Sequence, residues 1–373
     1  MDLWIKHMGY PVLTVSEEAD GIGIEQSRFL STGNPNIITS TDNSGDATEA
    51  EQNLWWVPLD LKTEKISDTA HSVKVLEKKK RVDVRPLDIS FYILNDSASG
   101  FYRVNYPTAR LETFGKQIAS GHRLLNASSR ISLVSDAAAL AISGEGSTTR
   151  FLSLVENFTE ESNYFVWDEV LHRLSQLRSC WYQQSEKVIN GLRAFSKSLV
   201  SKKYSELGWE AKPGEDYLTS QLRPLFIKEA DFAKIPGYFS RIFRVTDFGR
   251  VKEEATRRFK SWLSGDQAAL PPYLRRVVFG VVLGKEDASL DDYDAVLKTR
   301  LTSQSADVKD IALTSVGDVT TPDLVKRTIE FILSGQIPAQ DIHYPFMSLA
   351  ANQKTRDQLW EVIKENWRYF SQE

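Results

Sequence analysis

The 373-residue sequence holds one cysteine, Cys180. A lone cysteine forms no intrachain disulfide, and extracellular chains of this length usually carry several, so a reducing compartment is expected. No apolar run approaches the roughly 20 residues that span a bilayer. The first residues, Met1 to His7, lack a signal peptide's basic head and apolar stretch. These absences predict a cytoplasmic chain with no membrane partner. Charge of one sign is lacking too: 46 basic residues stand against 50 acidic ones, a net charge of −4. That balance speaks against a surface built for nucleic acid or anionic lipid. Lys78-Lys79-Lys80-Arg81 is a short basic run without interleaved aromatics, so it reads as a solvated strand end or turn.

Histidine is scarce. His7, His71, His122, His172 and His343 are each separated from the next by dozens of residues. The helical His-Glu-x-x-His, which sets two imidazoles on one face with a Glu to activate water, is absent, and no metal residue is expected in this chain. Gly-x-Ser-x-Gly is absent as well. Gly144-Glu145-Gly146-Ser147 has no strand before it and reads as a turn between helices. Cys180, at the end of an amphipathic segment beside Trp181, reads as a small buried side chain rather than an activated thiolate. No phosphate-binding glycine loop follows a strand. On residue types alone, no catalytic residue is expected.

What the chain has is apolar surface to bury: 41% hydrophobic residues, with nine Trp, thirteen Tyr and eighteen Phe. From residue 10 to about 105 the apolar period is two. Trp55, Val57, Leu59 and Leu61 alternate, as do Leu87, Ile89, Phe91 and Ile93, and Tyr10 to Val15 and Lys74 to Leu76 add strand candidates. Ser31 to Asn53 is too poor in apolar residues to be core. After Pro107 the period turns helical. Segments 129–143, 162–180, 184–200, 251–264, 271–283 and 321–334 carry apolar residues three and four apart. In the last helix Leu359, Ile363, Trp367 and Phe370 form a stripe that reads as core. The expected fold is mixed and mainly α: an antiparallel β-sandwich over 1–105, then a HEAT- or armadillo-like superhelical array over 106–373.

Short motifs in a fixed order then carry a resemblance. They are Trp4-Ile5-Lys6-His7-Met8-Gly9-Tyr10-Pro11-Val12-Leu13, Gln26-Ser27-Arg28-Phe29-Leu30, Trp56-Val57-Pro58-Leu59, Leu94-Asn95 with Gly100-Phe101-Tyr102-Arg103-Val104-Asn105-Tyr106, and Arg130-Ile131-Ser132-Leu133-Val134-Ser135-Asp136-Ala137. Glu254-Ala255 to Trp262 and Asn366-Trp367 follow. Together they resemble the C-terminal half of the puromycin-sensitive and endoplasmic-reticulum type zinc aminopeptidases of the gluzincin clan, with His7 where Gln is usual. The resemblance implies a sandwich acting as spacer and a helical bowl that covers the zinc site and helps to select peptides. The family's Gly-x-Met-Glu-Asn and His-Glu-x-x-His segments, which bind the free amine and the zinc, precede this region and are nowhere in the sequence. The resemblance therefore implies that zinc belongs to the full-length family and no cofactor to this chain. It also implies a missing N-terminal catalytic half as partner, peptides as ligands of the complete enzyme, and no cleavage by this chain alone. A stand-alone helical scaffold binding a protein partner is the alternative. Arg356, just before the final helix, lies where some members place a basic residue that meets a peptide carboxylate; a surface arginine is the other reading. The aromatic stretch 231–244 departs from the family's short turn and reads as a stretch from unspliced sequence, an idiosyncratic loop or an inserted docking loop.

Overall fold

A computed structural model describes residues 2–18, 21–33, 54–64, 74–75, 78–82, 90–121, 124–235 and 251–371. By internal packing the chain divides into two compact units, Met1–Cys180 and Trp181–Glu373. The last strand ends at Asn105 and the succession of helices starts at Thr108, so the change from strand to helix lies inside the first unit.

In the first unit, helix α1 (Asp2–Lys6) leads into strands β1 (Tyr10–Glu17) and β2 (Ile22–Phe29), an antiparallel pair in register from Tyr10 opposite Phe29 to Glu17 opposite Ile22. Gly9 makes the corner at φ 95, and a Cβ there would lie 2.6 Å from the Phe29 carbonyl oxygen. Short strands β3 (Val57–Pro58) and β5 (Lys74–Val75) pair with each other, as do β4 (Lys62–Thr63) and β7 (Tyr92–Ile93). β6 (Lys79–Val82) edges the main sheet against β2, with Lys79 Nζ 3.2 Å from Glu25. The basic run is thus a charged edge strand, which discourages pairing with other chains.

The sheet order is β6-β2-β1-β8, and β8 (Arg103–Asn105) runs parallel to β1, so the expectation of a wholly antiparallel sandwich is corrected at this strand. The chain reaches β8 after the two minor sheets, and a strand that returns by a long crossover can lie parallel to its neighbour. Trp55, Val57, Leu59 and Leu61 are buried and Trp56 is half exposed, as period two requires. Alternation fails at the next run: Phe91, Tyr92, Ile93 and Leu94 are all buried, because the Tyr92 hydroxyl reaches Glu17 at 2.8 Å while the Phe91 ring packs on Phe114. Leu87, Ile89, Leu76 and the polar stretch from residue 34 to 53 lie outside the described residues.

Among the described residues four α-helices complete this unit: α2 (Thr108–Ala119), α3 (Ala127–Ser143), α4 (Thr148–Val155) and α5 (Tyr164–Cys180). Asn126 caps α3 by accepting from the Ser129 amide at 2.9 Å, and Gly144 ends it at φ 81. Ser147 then caps α4, so Gly144 to Ser147 is a turn between two helices. α3 packs against α5 and α4, and Ala139 and Leu140 join Val12 and Phe29 in one apolar cluster between helix and sheet. Cys180 is exposed, against the expectation of burial: the packed face of α5 ends at Leu177, and the cysteine closes the helix beyond it.

The second unit holds helices and no strand among its described residues. Its helices are α6 (Glu186–Leu207), α7 (Tyr217–Phe232), α8 (Val251–Leu263), α9 (Pro272–Leu283), α10 (Leu290–Thr302), α11 (Ala306–Ser315), α12 (Pro322–Leu333), α13 (His343–Ala351), α14 (Arg356–Glu365) and α15 (Trp367–Ser371). Neighbours in sequence pair, α6 with α7, α8 with α9 and α10 with α11. Alternate helices α7, α9, α11 and α13 also pack on one another in a row. A row of alternate helices backed by its sequence neighbours is the arrangement of stacked helical repeats.

Residues 231–235 complete the C-terminus of α7 rather than open a loop: Lys234 turns at φ 52 and the Ile235 amide bonds the Ala230 carbonyl at 3.0 Å. Residues 236–250 lie outside the description. The expected stripe of the last helix is also corrected. Leu359 is buried but Trp367 is 61% exposed, because Asn366 breaks the segment into two helices and rotates Trp367 away from the Leu359 face.

Candidate functional site

Residues from several separate motifs meet where β8 touches α3. Arg103 donates through Nε to the Tyr10 hydroxyl at 2.8 Å and through Nη1 to Asp136 Oδ1 at 2.9 Å, with its guanidinium 5.1 Å from the centre of the Phe29 ring. Asp136 Oδ2 accepts from the Val104 amide at 2.9 Å. Arg173 of α5 adds a bond to the Ser135 hydroxyl at 2.9 Å. Burial pushes the Asp136 carboxyl up to about 6, against the opposing pull of Arg103 and the Val104 amide. Next to it is a cavity of about 10 Å³ lined by Val104, Asn105, Tyr106, Leu133, Asp136 and Arg150. That volume suits a single water and no peptide.

Two further motif side chains work in the same structural way. Gln26, buried in β2, accepts from the Trp55 amide at 2.6 Å and donates to the Trp55 carbonyl at 3.0 Å, so its side chain satisfies both backbone groups of that residue. Asn95, left-handed at φ 57, bonds the Gly100 amide at 2.7 Å and the Gly100 carbonyl at 3.0 Å, which closes the turn before β8. Arg130 pairs with Glu161, Nε to Oε2 at 2.7 Å. The sequence pointed to Tyr10, Gln26, Asn95, Arg103, Arg130 and Asp136 as motif members but not to their pairing, and apart from Gly100 and Leu125 these partners lie tens of residues away along the chain. Chemically the arrangement holds strands to helices; it presents no nucleophile beside a base.

Arg356 starts α14. Its Nε donates to the Ala350 carbonyl at 2.9 Å and its guanidinium stands 4.9 Å from the centre of the Tyr182 ring. Of the described histidines, His7 lies between α1 and β1 and His172 on α5 in the first unit, and His343 starts α13 in the second. His71 and His122 lie outside the described residues. Among the described residues no three His, Cys, Asp or Glu side chains come together as a metal-binding group, so this donor set does not fit a zinc ion.

With that geometry in view, the family model of the ERAP1-like C-terminal domain matches residues 91–373. The chain belongs to the ERAP1-like C-terminal domain family. It is 31% identical over 98% of its length to Aminopeptidase 2, mitochondrial, of Saccharomyces cerevisiae, of which it covers 35%. It is 28% identical over 98% of its length to Alanine/arginine aminopeptidase of the same organism, covering 39%. Puromycin-sensitive aminopeptidase of Caenorhabditis elegans is 24% identical over 99% of this chain, which covers 36% of that relative. The chain thus spans a little over a third of the length of the relatives it matches. Among the described residues no helix is long and apolar enough to cross a membrane.

Proposed function

We propose that this chain is the non-catalytic C-terminal part of a zinc aminopeptidase, covering the active site and helping to select peptide substrates. The observation that carries the reading is the nearly full-length match to aminopeptidases of which the chain represents 35 to 39%, within a family defined as a C-terminal domain. In this reading residues 1–105 are the spacer and 106–373 the cover. In this reading zinc and the recognition of the free amine belong to the N-terminal catalytic part, the partner, as the family resemblance implies. Arg356 would meet a peptide's C-terminal carboxylate: the Ala350 carbonyl and the Tyr182 ring orient its guanidinium, and a guanidinium fork suits a carboxylate. A cytoplasmic location agrees with the single cysteine, exposed and unpaired by any second one.

The test is hydrolysis of aminoacyl-fluorogenic substrates by the purified chain with and without added zinc, with metal analysis of the same sample. No turnover and no stoichiometric zinc are expected. Chelator-sensitive turnover with one bound zinc would overturn the reading.

A further inference from the structure

The last two helices of the second unit are thinly packed. In α9 seven of twelve residues are buried, whereas α14 buries Leu359 alone and α15 buries none. Trp360 and Trp367, on this pair, are 55% and 61% exposed. Elements with so little buried apolar surface are the first to open in a folded protein. Besides Leu359, the pair is held near its ends. Buried Thr355, at the joint before α14, donates to the Leu349 carbonyl at 2.6 Å. The Phe370 ring centre lies 5.1 Å from that of Phe346 on α13. Arg356, the first residue of α14, stands with its guanidinium 4.9 Å from the ring centre of Tyr182, the second residue of this unit.

Helix contacts run in series from α6 to α7, α9, α11, α13 and α14. Tyr182 precedes α6 and Arg356 begins α14, so the series returns to the residues at which it starts. We propose that Arg356 on Tyr182 is a latch: it fastens α14 and α15 to the first residues of the helical unit, and its release lets this pair open while the rest stays folded. The chemistry suits a fastening that lets go. A guanidinium over an aromatic face is attracted by the ring while its edge stays free for water, so parting the two strands no buried charge. Both side chains are half-buried, and such a contact shifts an equilibrium by a factor of about two to five. The latch has a fixed side and a releasing side. Arg356 Nε donates to the Ala350 carbonyl at 2.9 Å, which holds the arginine against its own end of the unit, so the contact parts at the ring.

Native-state hydrogen exchange of the 373-residue chain reads the latch directly. In the wild type the α14 amides from Leu359 to Glu365 exchange through an opening that spares α9. In Tyr182→Ala their exchange quickens about two- to fivefold while that of α9 stays as it was. Tyr182→Phe keeps the ring and leaves both unchanged. A terminal helix pair that merely frays would not respond to a residue at the opposite end of the unit. Arg356→Gln removes the cation at a half-buried position and quickens α14 at least as much as Tyr182→Ala; it carries the test by itself if circular dichroism shows that Tyr182→Ala has lost its fold. In the double variant Tyr182→Ala adds nothing to Arg356→Gln, because the two residues act through one contact. Four results would each overturn the latch: no change at α14 in Tyr182→Ala or Arg356→Gln, equal quickening in Tyr182→Phe, full additivity in the double variant, or α14 amides in the wild type as slow as those of α9.

Discussion

Replacing Glu161 by alanine tests whether the family motifs of the first unit act as structural pins. The Glu161 side chain is 6% exposed and serves four donors: Arg130 Nε at 2.7 Å, Arg130 Nη2 at 3.3 Å, and the Ser162 and Asn163 amides at 2.8 Å each. Arg130 is 20% exposed and also donates to the Leu125 carbonyl at 2.6 Å. The substitution therefore strands a largely buried guanidinium and two backbone amides at the start of α5. Removing one partner of a buried ion pair costs about 3–5 kcal/mol. The remaining Leu125 carbonyl and the partial access of water to Arg130 place the expected loss at the lower end, about 3 kcal/mol. For a unit of this size each kcal/mol moves the melting temperature by about 2–4 °C, so the transition should fall by about 6–12 °C. The measurements are thermal and urea unfolding, read together with hydrogen exchange of the α5 amides, which should lose protection before those of the second unit. Glu361→Ala is the control: its pair with Lys364 has side chains 50% and 63% exposed, and a pair of that kind is worth less than about 1 kcal/mol. A loss at Glu161→Ala no larger than the control's would refute the reasoning.

Other substitutions probe the same frame. Asp136 has its pKa raised from 3.8 to about 6 by burial, so the folded state binds its proton more tightly than the unfolded one. Its contribution to stability is accordingly largest below the unfolded value and is lost as pH rises through 6. Urea unfolding of the wild-type chain minus that of Asp136→Asn should show a pH-dependent difference on the order of 2–3 kcal/mol across that window; a flat difference would contradict it. Gly9→Ala puts a Cβ 2.6 Å from the Phe29 carbonyl oxygen at φ 95, and should lower stability by about 1–3 kcal/mol in the same assay. Gln26→Leu leaves the Trp55 amide and carbonyl without their partner, at a cost of about 2–4 kcal/mol, visible as early hydrogen exchange at Trp55.

Much of the architecture follows from local sequence. Helices at 251–263, 272–283 and 322–333 fall within a residue of where the apolar period sets them, and Asn126, Gly144 and Ser147 bound α3 and α4 by side-chain and backbone chemistry that acts within one turn. Period two likewise buries Trp55, Val57, Leu59 and Leu61. The ordered motifs went further and identified the family. What the period could not give was everything set by residues far apart. β8 runs parallel to β1 because of a crossover, not because of its own residues. Tyr92 is buried because Glu17, far along the chain, accepts from its hydroxyl.

The candidate functional residues divide in the same way. Scarce histidine and the missing His-Glu-x-x-His follow from composition and spacing, since a helical zinc motif is local. Arg103, Asp136, Gln26 and Asn95 are visible in the sequence only as members of motifs; their work depends on Tyr10, Val104, Trp55 and Gly100 being brought beside them. Exposure is least legible of all. Cys180 and Trp367 look like core residues from the sequence, yet both face water, Cys180 because the packed face of α5 ends at Leu177 and Trp367 because Asn366 breaks the last segment into two helices. Ile5, Met8 and Phe101 are exposed for a related reason. Sequence fixes how apolar each side chain is, but only the packing of Trp4 on Trp55 and of Tyr10 on Phe101 decides which of them remain uncovered.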